Sequence, residues 1–399
     1  MSRARNFIVN SLLVLGSCLF CMGVAETGAR IYFHFAPRPP TNRYSFRLSD
    51  PPPYRHAPYY SRAFVDESFR QPGGWYVPRG THLVVPGDFH GAYINIEHGR
   101  RRTTDTPAAA QHAVFVIGGS TVYGAEVPDA YTIPSYLQRL LNARQPGVWR
   151  VENCGSISVT TAQQLELLRT LPLRKGDLVI FYDGVNDVVE GVYNGDPAGW
   201  IVGENRKALR DAGPFKALLV RLNLKYAASK AEGYSVFLSA VVGGLVNGAN
   251  LRPKSYLLDP SKTASLAQAT ARLFRRNVEE AASLSVAAGC AFYHFLQPQI
   301  FSGARRTPYE QSIMRDYYIN PNGLETAFRA AWPLLEEATV EMQGVSSYDL
   351  SDVLDARAPG EEFYLDFCHV NDAANARIAG AMSERLYAAI ESGGVRIEK

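Results

Sequence analysis

The pattern of hydrophobic and polar positions changes twice along the chain. Residues 1–30 hold a long apolar run, and residues 31–110 are rich in Pro, Tyr and Arg with only short apolar runs. Residues 111–399 alternate strand-like and helical patterns. Because proline-rich polar stretches do not hold regular helix, we predict a terminal membrane-spanning helix, a linker and accessory segment, and one folded domain, in that order.

Short apolar runs and amphipathic stretches alternate between Val114 and Asp187. The apolar runs predict three buried strands and the stretches between them predict helices, the first with Thr132 as its N-cap. A long helix before Cys290 leads to a fourth strand, and the last helix is predicted to begin near Asp372. Strands separated by helices favour an α/β fold, with a central parallel sheet covered on both faces.

The alternation stops after Asp187. Residues 191–260 hold a polar loop and an apolar patch at 234–246, which is too short to cross a bilayer. We expect an insertion in the folded domain that shapes a substrate cleft.

The apolar run at 7–25 carries no charge and follows a basic tip with Arg3 and Arg5. It is close to the roughly 20 residues that span a bilayer and long for a signal-peptide core, so we expect a signal anchor. The body then lies outside the cytoplasm, in the periplasm or on the outer surface. Two alternatives stay open: a signal peptide cleaved after Ala25, which gives a secreted protein, and a lipoprotein signal cut before Cys18.

Composition and charge exclude some partners. The chain has 399 residues, 46% of them hydrophobic, and a net charge of +3. No basic block with interleaved aromatics is present, so we expect no nucleic-acid partner. Cysteine spacing matches no zinc pattern. A disulfide between Cys154 and Cys368 stays open, and the sequence leaves the oligomeric state open.

The first strand of the folded domain ends in the turn GGSTVYGAE. A phosphate-binding loop is excluded because Ala125 and Glu126 stand where its lysine and hydroxyl belong. The glycine spacing does not fit a dinucleotide site, and Val122 replaces the second glycine of a nucleophile elbow. What remains is Ser120 at the carboxyl end of a strand, where open α/β sheets bind their ligands.

Four further residues follow later strands: Gly155 in ENCGS, Asn186 in GVND, and Asp366 with His369 in DFCH. Taken singly, each motif has an ordinary explanation as a turn glycine, an Asx-turn asparagine or a hydrogen-bonded surface histidine. Together with Ser120 they supply a hydroxyl, an imidazole, a carboxylate and amide donors. Those are the groups that nucleophilic catalysis by serine needs.

These residues lie in four sequence blocks, namely Ser120 in GGST, Gly155 in ENCGS, Asn186 in GVND, and Asp366 with His369 in DFCH. The four blocks resemble the signature of the SGNH (GDSL-like) hydrolase superfamily, and the resemblance covers about residues 112–392. The resemblance implies a three-layer α/β/α sandwich and action on acyl esters, often acetyl esters of carbohydrates or lipids. It implies a catalytic set of Ser120, Asp366 and His369, with Ser120, Gly155 and Asn186 forming the oxyanion hole. The acidic residue of the GDS motif is missing from GGST.

The favoured interpretation is a membrane-anchored serine esterase that hydrolyses acyl esters of a glycan or other envelope molecule through an acyl-serine intermediate. The acyl group is expected to be acetyl. One alternative is an O-acyltransferase of the same fold that moves the acyl group to a sugar hydroxyl. The second is a non-catalytic glycan-binding or scaffolding module. Serine chemistry of this kind requires no cofactor and no metal, so we expect neither.

Overall fold

The computed structural model describes residues 2–35, 46–70, 74–197, 260–303, 305–315, 323–342 and 344–391. By contact, residues 46–204 and 255–399 form one compact unit, and the N-terminal residues belong to another. The predicted insertion at 191–260 lies outside the described residues from 198 to 259, and so does its apolar patch at 234–246.

Helix α1 covers Ser2–Phe35, and its apolar residues 13–24 are exposed. Within it, Leu13–Tyr32 is long and apolar enough to cross a membrane, and no other helix of the described ranges meets that criterion. A signal sequence near the N-terminus has the same length and composition. The helix continues past the uncharged run, and there Glu26 and Arg30 pair one turn apart at 2.6 Å.

The described residues of the second unit contain ten strands. They are β1 (Trp75–Tyr76), β2 (Val85–Pro86), β3 (Phe89–His90), β4 (Asn95–Glu97), β5 (Arg100–Arg101), β6 (His112–Gly118), β7 (Trp149–Gly155), β8 (Leu178–Asp183), β9 (Ala291–Leu296) and β10 (Ser346–Asp349). Strands β1 and β2 form a separate pair, and the other eight form one sheet in the order β10-β9-β8-β6-β7-β5-β4-β3.

The five strands from β10 to β7 are parallel, as the sequence predicted. All six residues of β8 are buried, which is why its sequence is a continuous apolar run and not an alternating one. In the register, Gly118 at the end of β6 pairs with Gly155 of β7 and Tyr182 of β8. The residues that follow these strands therefore lie together at the carboxyl ends of the parallel strands.

The central part of the sheet is parallel as predicted, but the whole sheet is mixed. Strands β3, β4 and β5 come from the accessory segment and add antiparallel pairs beyond β7, beginning where Arg101 pairs with Asn153. Short hairpin connections allow only antiparallel pairing, whereas parallel strands need a long crossover. The accessory segment thus extends the sheet on the β7 side, next to the strand ends that carry the candidate residues.

After α1, the described α-helices in chain order are α2 (Arg62–Arg70), α3 (Ser120–Tyr123), α4 (Ile133–Arg144), α5 (Thr161–Leu168), α6 (Val185–Val188), α7 (Pro260–Ala287), α8 (Pro308–Arg315), α9 (Leu324–Glu341) and α10 (Asp372–Glu391). Helix α7 packs against α5 and α9, and α10 packs against α4. Thr132 caps α4 as predicted, since its hydroxyl accepts a hydrogen bond from the Ser135 N–H at 3.2 Å.

Candidate active site

The turn between β6 and α3 depends on its two glycines. A Cβ on Gly118 would lie 2.5 Å from the Tyr182 carbonyl oxygen, and one on Gly119 would lie 2.5 Å from Nδ2 of Asn186. Both distances are shorter than any real Cβ contact. The glycines therefore let the chain turn sharply and bring Ser120, the first residue of α3, beside Asn186.

Ser120, His369 and Asp366 form a hydrogen-bonded chain. Oγ of Ser120 lies 2.7 Å from Nε2 of His369, and Nδ1 of His369 lies 2.8 and 2.9 Å from the two oxygens of Asp366. The carboxylate fixes the proton on Nδ1, so Nε2 of the neutral ring accepts the serine proton. The structure brings together the three residues that the sequence nominated as catalytic, although 249 positions separate Ser120 from His369.

The charge on His369 is governed by two opposing effects. Burial alone would lower the pKa of the imidazole, but the adjacent Asp366 carboxylate raises that pKa well above its usual range. Asp366 is itself held by the backbone N–H groups of Cys368 and His369, at 3.0 and 2.8 Å. This arrangement strongly favours the imidazolium that forms when His369 takes a proton from serine.

Asn186 lies at the start of α6, directly after the β8 strand, and is partly exposed. Its Nδ2 donates one hydrogen bond to the Val159 carbonyl at 3.0 Å and lies against Gly119. An amide nitrogen carries two hydrogens, so the second remains for an oxygen bound near Ser120. The position agrees with the predicted role of Asn186.

Gly155 reaches the same edge of the sheet, but its N–H already has an acceptor. It donates to Oδ1 of Asn153 at 3.0 Å, and a Cβ on Gly155 would lie 2.1 Å from the backbone nitrogen of Tyr123. The glycine is therefore needed for close packing of β7 against α3. In this arrangement its N–H is not available to an incoming substrate oxygen, contrary to the sequence expectation.

Ser158 was missed by the sequence reasoning. It is exposed and has a φ of 51°, in the left-handed region that favours glycine. It directly precedes Val159, whose carbonyl binds Asn186. Within the described ranges its N–H donates no hydrogen bond. No sequence signal marks it, because a glycine or asparagine is the usual sign of a left-handed position.

Arg47, from the accessory segment, is fully buried beside the catalytic residues. Its guanidinium lies 3.2 Å from Oδ2 of Asp366 and makes two bonds to Glu126, at 2.8 and 2.9 Å. Tyr54 donates to the same Glu126 carboxylate at 2.9 Å. Burial would raise the pKa of Glu126, but Arg47 lowers it, so Glu126 is ionised. This cluster was not predictable from the sequence, because an arginine in a Pro-rich stretch is usually solvated.

A second buried arginine holds the loop that follows Ser120. Nε of Arg101 pairs with Asp129 at 2.9 Å, and its other nitrogens donate to the carbonyls of Tyr123, Gly124 and Val127. These carbonyls lie at and beyond the end of α3, where helical partners are missing. Arg101 therefore supplies the hydrogen bonds that fix the turn carrying Ser120.

Asp187, next to Asn186, is a structural residue. Its Oδ1 accepts hydrogen bonds from the N–H and the hydroxyl of Thr161, at 3.1 and 2.6 Å, which joins α6 to the start of α5. Burial and the neighbouring Asp183 raise the pKa of Asp187 to about 7. The residue thus helps to hold the loop that contacts Asn186.

A second serine–histidine–aspartate chain lies within the sheet. His294 is within 2.6 Å of the Ser347 hydroxyl and 3.0 Å of Oδ1 of Asp183. His294 is fully buried and packs edge-on against Phe274. We assign these bonds to the packing of β8, β9 and β10, and they provide a matched control for experiments on Ser120.

Asp366, Cys368 and His369 also form the one cluster, among the described ranges, of side chains that could hold a metal ion. A tetrahedral zinc with bonds of about 2.0 Å keeps its ligand atoms about 3.3 Å apart. The 2.8 Å separation of Nδ1 of His369 and the Asp366 oxygen is instead that of a hydrogen bond. The described Cys154 and Cys368 do not form the disulfide that the sequence left open.

No family model and no curated protein matches the chain. Solved structures similar to it include LAE5, an alpha/beta hydrolase enzyme from the metagenome of Lake Arreo, at 13% identity and a TM-score of 0.36, covering 69% of this chain and 95% of that one. A lipolytic protein of the G-D-S-L family from Veillonella parvula is similar at 11% identity and a TM-score of 0.36, covering 68% and 97%.

Axe2, an acetylxylan esterase from Geobacillus stearothermophilus, is similar at 13% identity and a TM-score of 0.34, covering 70% of this chain and 95% of that one. These are structures to which the chain is similar, and two of them are described as a lipolytic protein of the G-D-S-L family and an acetylxylan esterase. At such TM-scores they carry no argument about activity, which has to come from the geometry of the site.

Proposed function

We propose that this protein is a serine hydrolase of ester bonds, with Ser120 as its nucleophile. The observation that carries the proposal is the continuous chain from Oγ of Ser120 through His369 to Asp366, at 2.7 and 2.8 Å. A serine hydroxyl is a weak nucleophile unless a base stands within hydrogen-bond distance and a third group orients that base. Ser120 is partly exposed, so a substrate carbonyl reaches it.

In the acylation step, Nε2 of His369 takes the proton of Ser120 as Oγ bonds to the carbonyl carbon of the ester. The carbonyl electron pair moves onto its oxygen and gives a tetrahedral oxyanion. When the intermediate collapses, the bond to the alcohol breaks and His369 returns the proton to the departing alkoxide. Asp366 keeps the imidazolium oriented throughout and is not protonated.

The oxyanion requires donors that are already in place. In our proposal these include the backbone N–H of Ser120 and the second Nδ2 hydrogen of Asn186. The Gly155 N–H bonds to Asn153. Preorganised donors of this kind typically contribute about 10²–10³ each in kcat.

Deacylation repeats these steps with water as the nucleophile, and His369 takes the proton of water. If a sugar hydroxyl replaced water, the same site would be an acyltransferase. Incubating the protein with an acyl donor and candidate glycans, and measuring whether the acyl group is transferred to sugar or released as acid, distinguishes the two reactions.

Active-site labelling tests the proposal directly. A fluorophosphonate bonds through phosphorus to an activated serine oxygen and releases fluoride, and peptide mass spectrometry locates the adduct. We expect labelling at Ser120 that is lost in His369→Ala and unchanged in Ser347→Ala, which alters the other serine–histidine pair. Labelling elsewhere, or none on folded protein, would contradict the proposal and favour a non-catalytic binding module.

Two finer points belong to the same proposal. From the resemblance, we propose acetyl esters of a glycan or other envelope molecule as substrates and a three-layer arrangement of the domain. From the length and composition of Leu13–Tyr32, we propose a membrane anchor with the catalytic unit outside the cytoplasm. Release of acetate from acetylated and deacetylated envelope glycan tests the first point, and carbonate extraction with protease protection tests the second.

A further inference from the structure

A pocket of about 320 Å³ opens at the amino ends of strands β6 and β7, away from Ser120, which follows the carboxyl end of β6. It is lined by both strands, by Arg100 of β5 and by residues that precede β6 and β8. Three small side chains of the wall leave room for it, namely Ala109, Ala110 and Ala113. A closed apolar cavity of about 150 Å³ holds benzene, so this pocket has room for a ring and a polar group.

The guanidinium of Arg100 lies on the pocket side of the sheet. Its Nη1 is 3.3 Å from Oε2 of Glu152, and its Cζ is 5.9 Å from the ring centroid of Phe115. Glu152 and Phe115 are paired neighbours on β7 and β6, and both line the pocket. The charged end of Arg100 is therefore at the pocket wall.

Arg150 reaches the same pocket from β7. It stands two positions before Glu152, so the two side chains lie on the same face of the sheet. Its Nη2 donates to the carbonyls of Pro107 and Ala108, each at 3.2 Å, which places the guanidinium beside the loop that forms another wall. Within the described ranges its Nε and Nη1 donate no hydrogen bond, so they are available to a ligand.

The cations of the wall are only partly matched by carboxylates. Of the two carboxylates there, Glu152 pairs with Arg100, and Asp177 is buried and accepts from two backbone N–H groups at 2.8 and 2.9 Å. Arg174 is exposed, and in the part of the chain that the structure describes its side chain makes no hydrogen bond or ion pair. The guanidiniums of Arg150 and Arg174 thus have no carboxylate partner among the described residues.

We propose that this pocket binds a small phosphate monoester. At neutral pH that group carries close to two negative charges and three strong acceptor oxygens. Two arginines without carboxylate partners match this charge, and the planar guanidinium binds phosphate through paired N–H donors. The body of the ester lies against the small side chains of the wall and the Phe115 ring. The site does not include Ser120, so the proposal stands independently of whether Ser120 is a nucleophile.

Ligand-detected NMR with phenyl phosphate tests the binding, on the full chain in phosphatidylcholine nanodiscs with empty nanodiscs subtracted. We expect saturable binding that phenol does not displace and that persists in Ser120→Ala. Arg150→Gln and Arg174→Gln should each weaken it about tenfold, the contribution of one charge-assisted hydrogen bond. Arg329→Gln is the matched control, because it removes an exposed arginine that pairs with Glu325 and does not line the pocket, and it should bind as the original protein does.

Two further variants test the arrangement of charges. Glu152→Gln frees Arg100 from its carboxylate and removes a repelling charge, so it should strengthen binding, which a merely structural role would not do. Arg174→Lys keeps the charge but loses the planar fork, so it should recover only part of the affinity lost in Arg174→Gln.

Phosphate monoesters occur on soluble metabolites and on lipids. Competition by nanodiscs that contain phosphatidate assigns the lipid source, and lack of competition assigns the soluble one. No saturable binding, equal binding of phenol, an equal loss in Arg329→Gln, or unchanged binding in Glu152→Gln would each overturn the proposal.

Discussion

The guanidinium of Arg47 lies 3.2 Å from Oδ2 of Asp366, and both side chains are fully buried. A residue that precedes the first strand of the sheet by many positions thus contacts the carboxylate that orients His369. Glu126 also pairs with this guanidinium. The positive charge of Arg47 is therefore shared between the carboxylates of Asp366 and Glu126.

Removing Arg47 should change the pH dependence of catalysis and not only its rate. The base His369 must be neutral, so kcat/KM rises with pH through the raised pKa of His369. In Arg47→Met the Asp366 charge is less compensated, which raises that pKa further and moves the acidic limb to higher pH. Glu126→Gln removes an anion near His369 and should move the limb to lower pH.

The pH profile of kcat/KM for a small acetyl ester measures both shifts. Arg47→Lys keeps the cation and should restore part of the original profile. If both variants lost activity equally at every pH, Arg47 and Glu126 would serve only to stabilise the fold.

Gly119→Ala should reduce kcat because the new Cβ has no space. It would lie 2.5 Å from Nδ2 of Asn186, so the amide must move away from the oxyanion position. We expect a loss of about 10²-fold in kcat, the usual cost of removing or misplacing one oxyanion donor, with KM little changed. Gly380→Ala is the matched control, since nothing lies within 4 Å of its Cβ position, and it should keep full activity.

Arg101→Met should destabilise the folded domain. It removes the guanidinium that pairs with Asp129 and donates to three carbonyls in a buried site, and breaking a buried ion pair by removing one partner costs about 3–5 kcal/mol. Urea unfolding measures the loss. Arg329→Met removes an exposed pair with Glu325 and should change the free energy of unfolding by less than about 1 kcal/mol. Similar losses in the two variants would contradict the role given to Arg101.

Asp187 should make the domain less stable as pH rises. Its folded pKa of about 7 lies above its ordinary value of 3.8, so the folded state holds a proton that the unfolded state has lost in that window. The contribution is fully present below pH 4 and is lost as pH rises through 7, with a slope of at most about 1.4 kcal/mol per pH unit.

Urea midpoints at pH 5 and pH 8 test this in the original protein and in Asp187→Asn, which keeps an acceptor for Thr161. The fall in stability between the two pH values should be smaller in the variant. An unchanged difference would show that Asp187 does not titrate in this range.

Local patterns determined much of the fold and the catalytic set. The apolar runs of β6, β7 and β8 and the N-cap Thr132 follow from burial and from hydrogen bonds within a few residues, so the sequence alone identifies them. Ser120, Asp366 and His369 were predictable because each follows a strand or shares one short motif, and the ends of parallel strands meet at one edge.

Only the tertiary structure decided what surrounds these residues. Arginines in a linker, such as Arg47 and Arg101, are expected from the sequence to be solvated. Both are buried because they pair with carboxylates that are 79 and 28 residues away. The hydrogen bond from the Gly155 N–H to Asn153 and the positive φ of Ser158 were not predicted, because the choice of hydrogen-bond partner and the sign of φ depend on packing at the strand ends. Residue type and spacing determined the catalytic groups, and long-range packing determined which donors, charges and cavities lie around them.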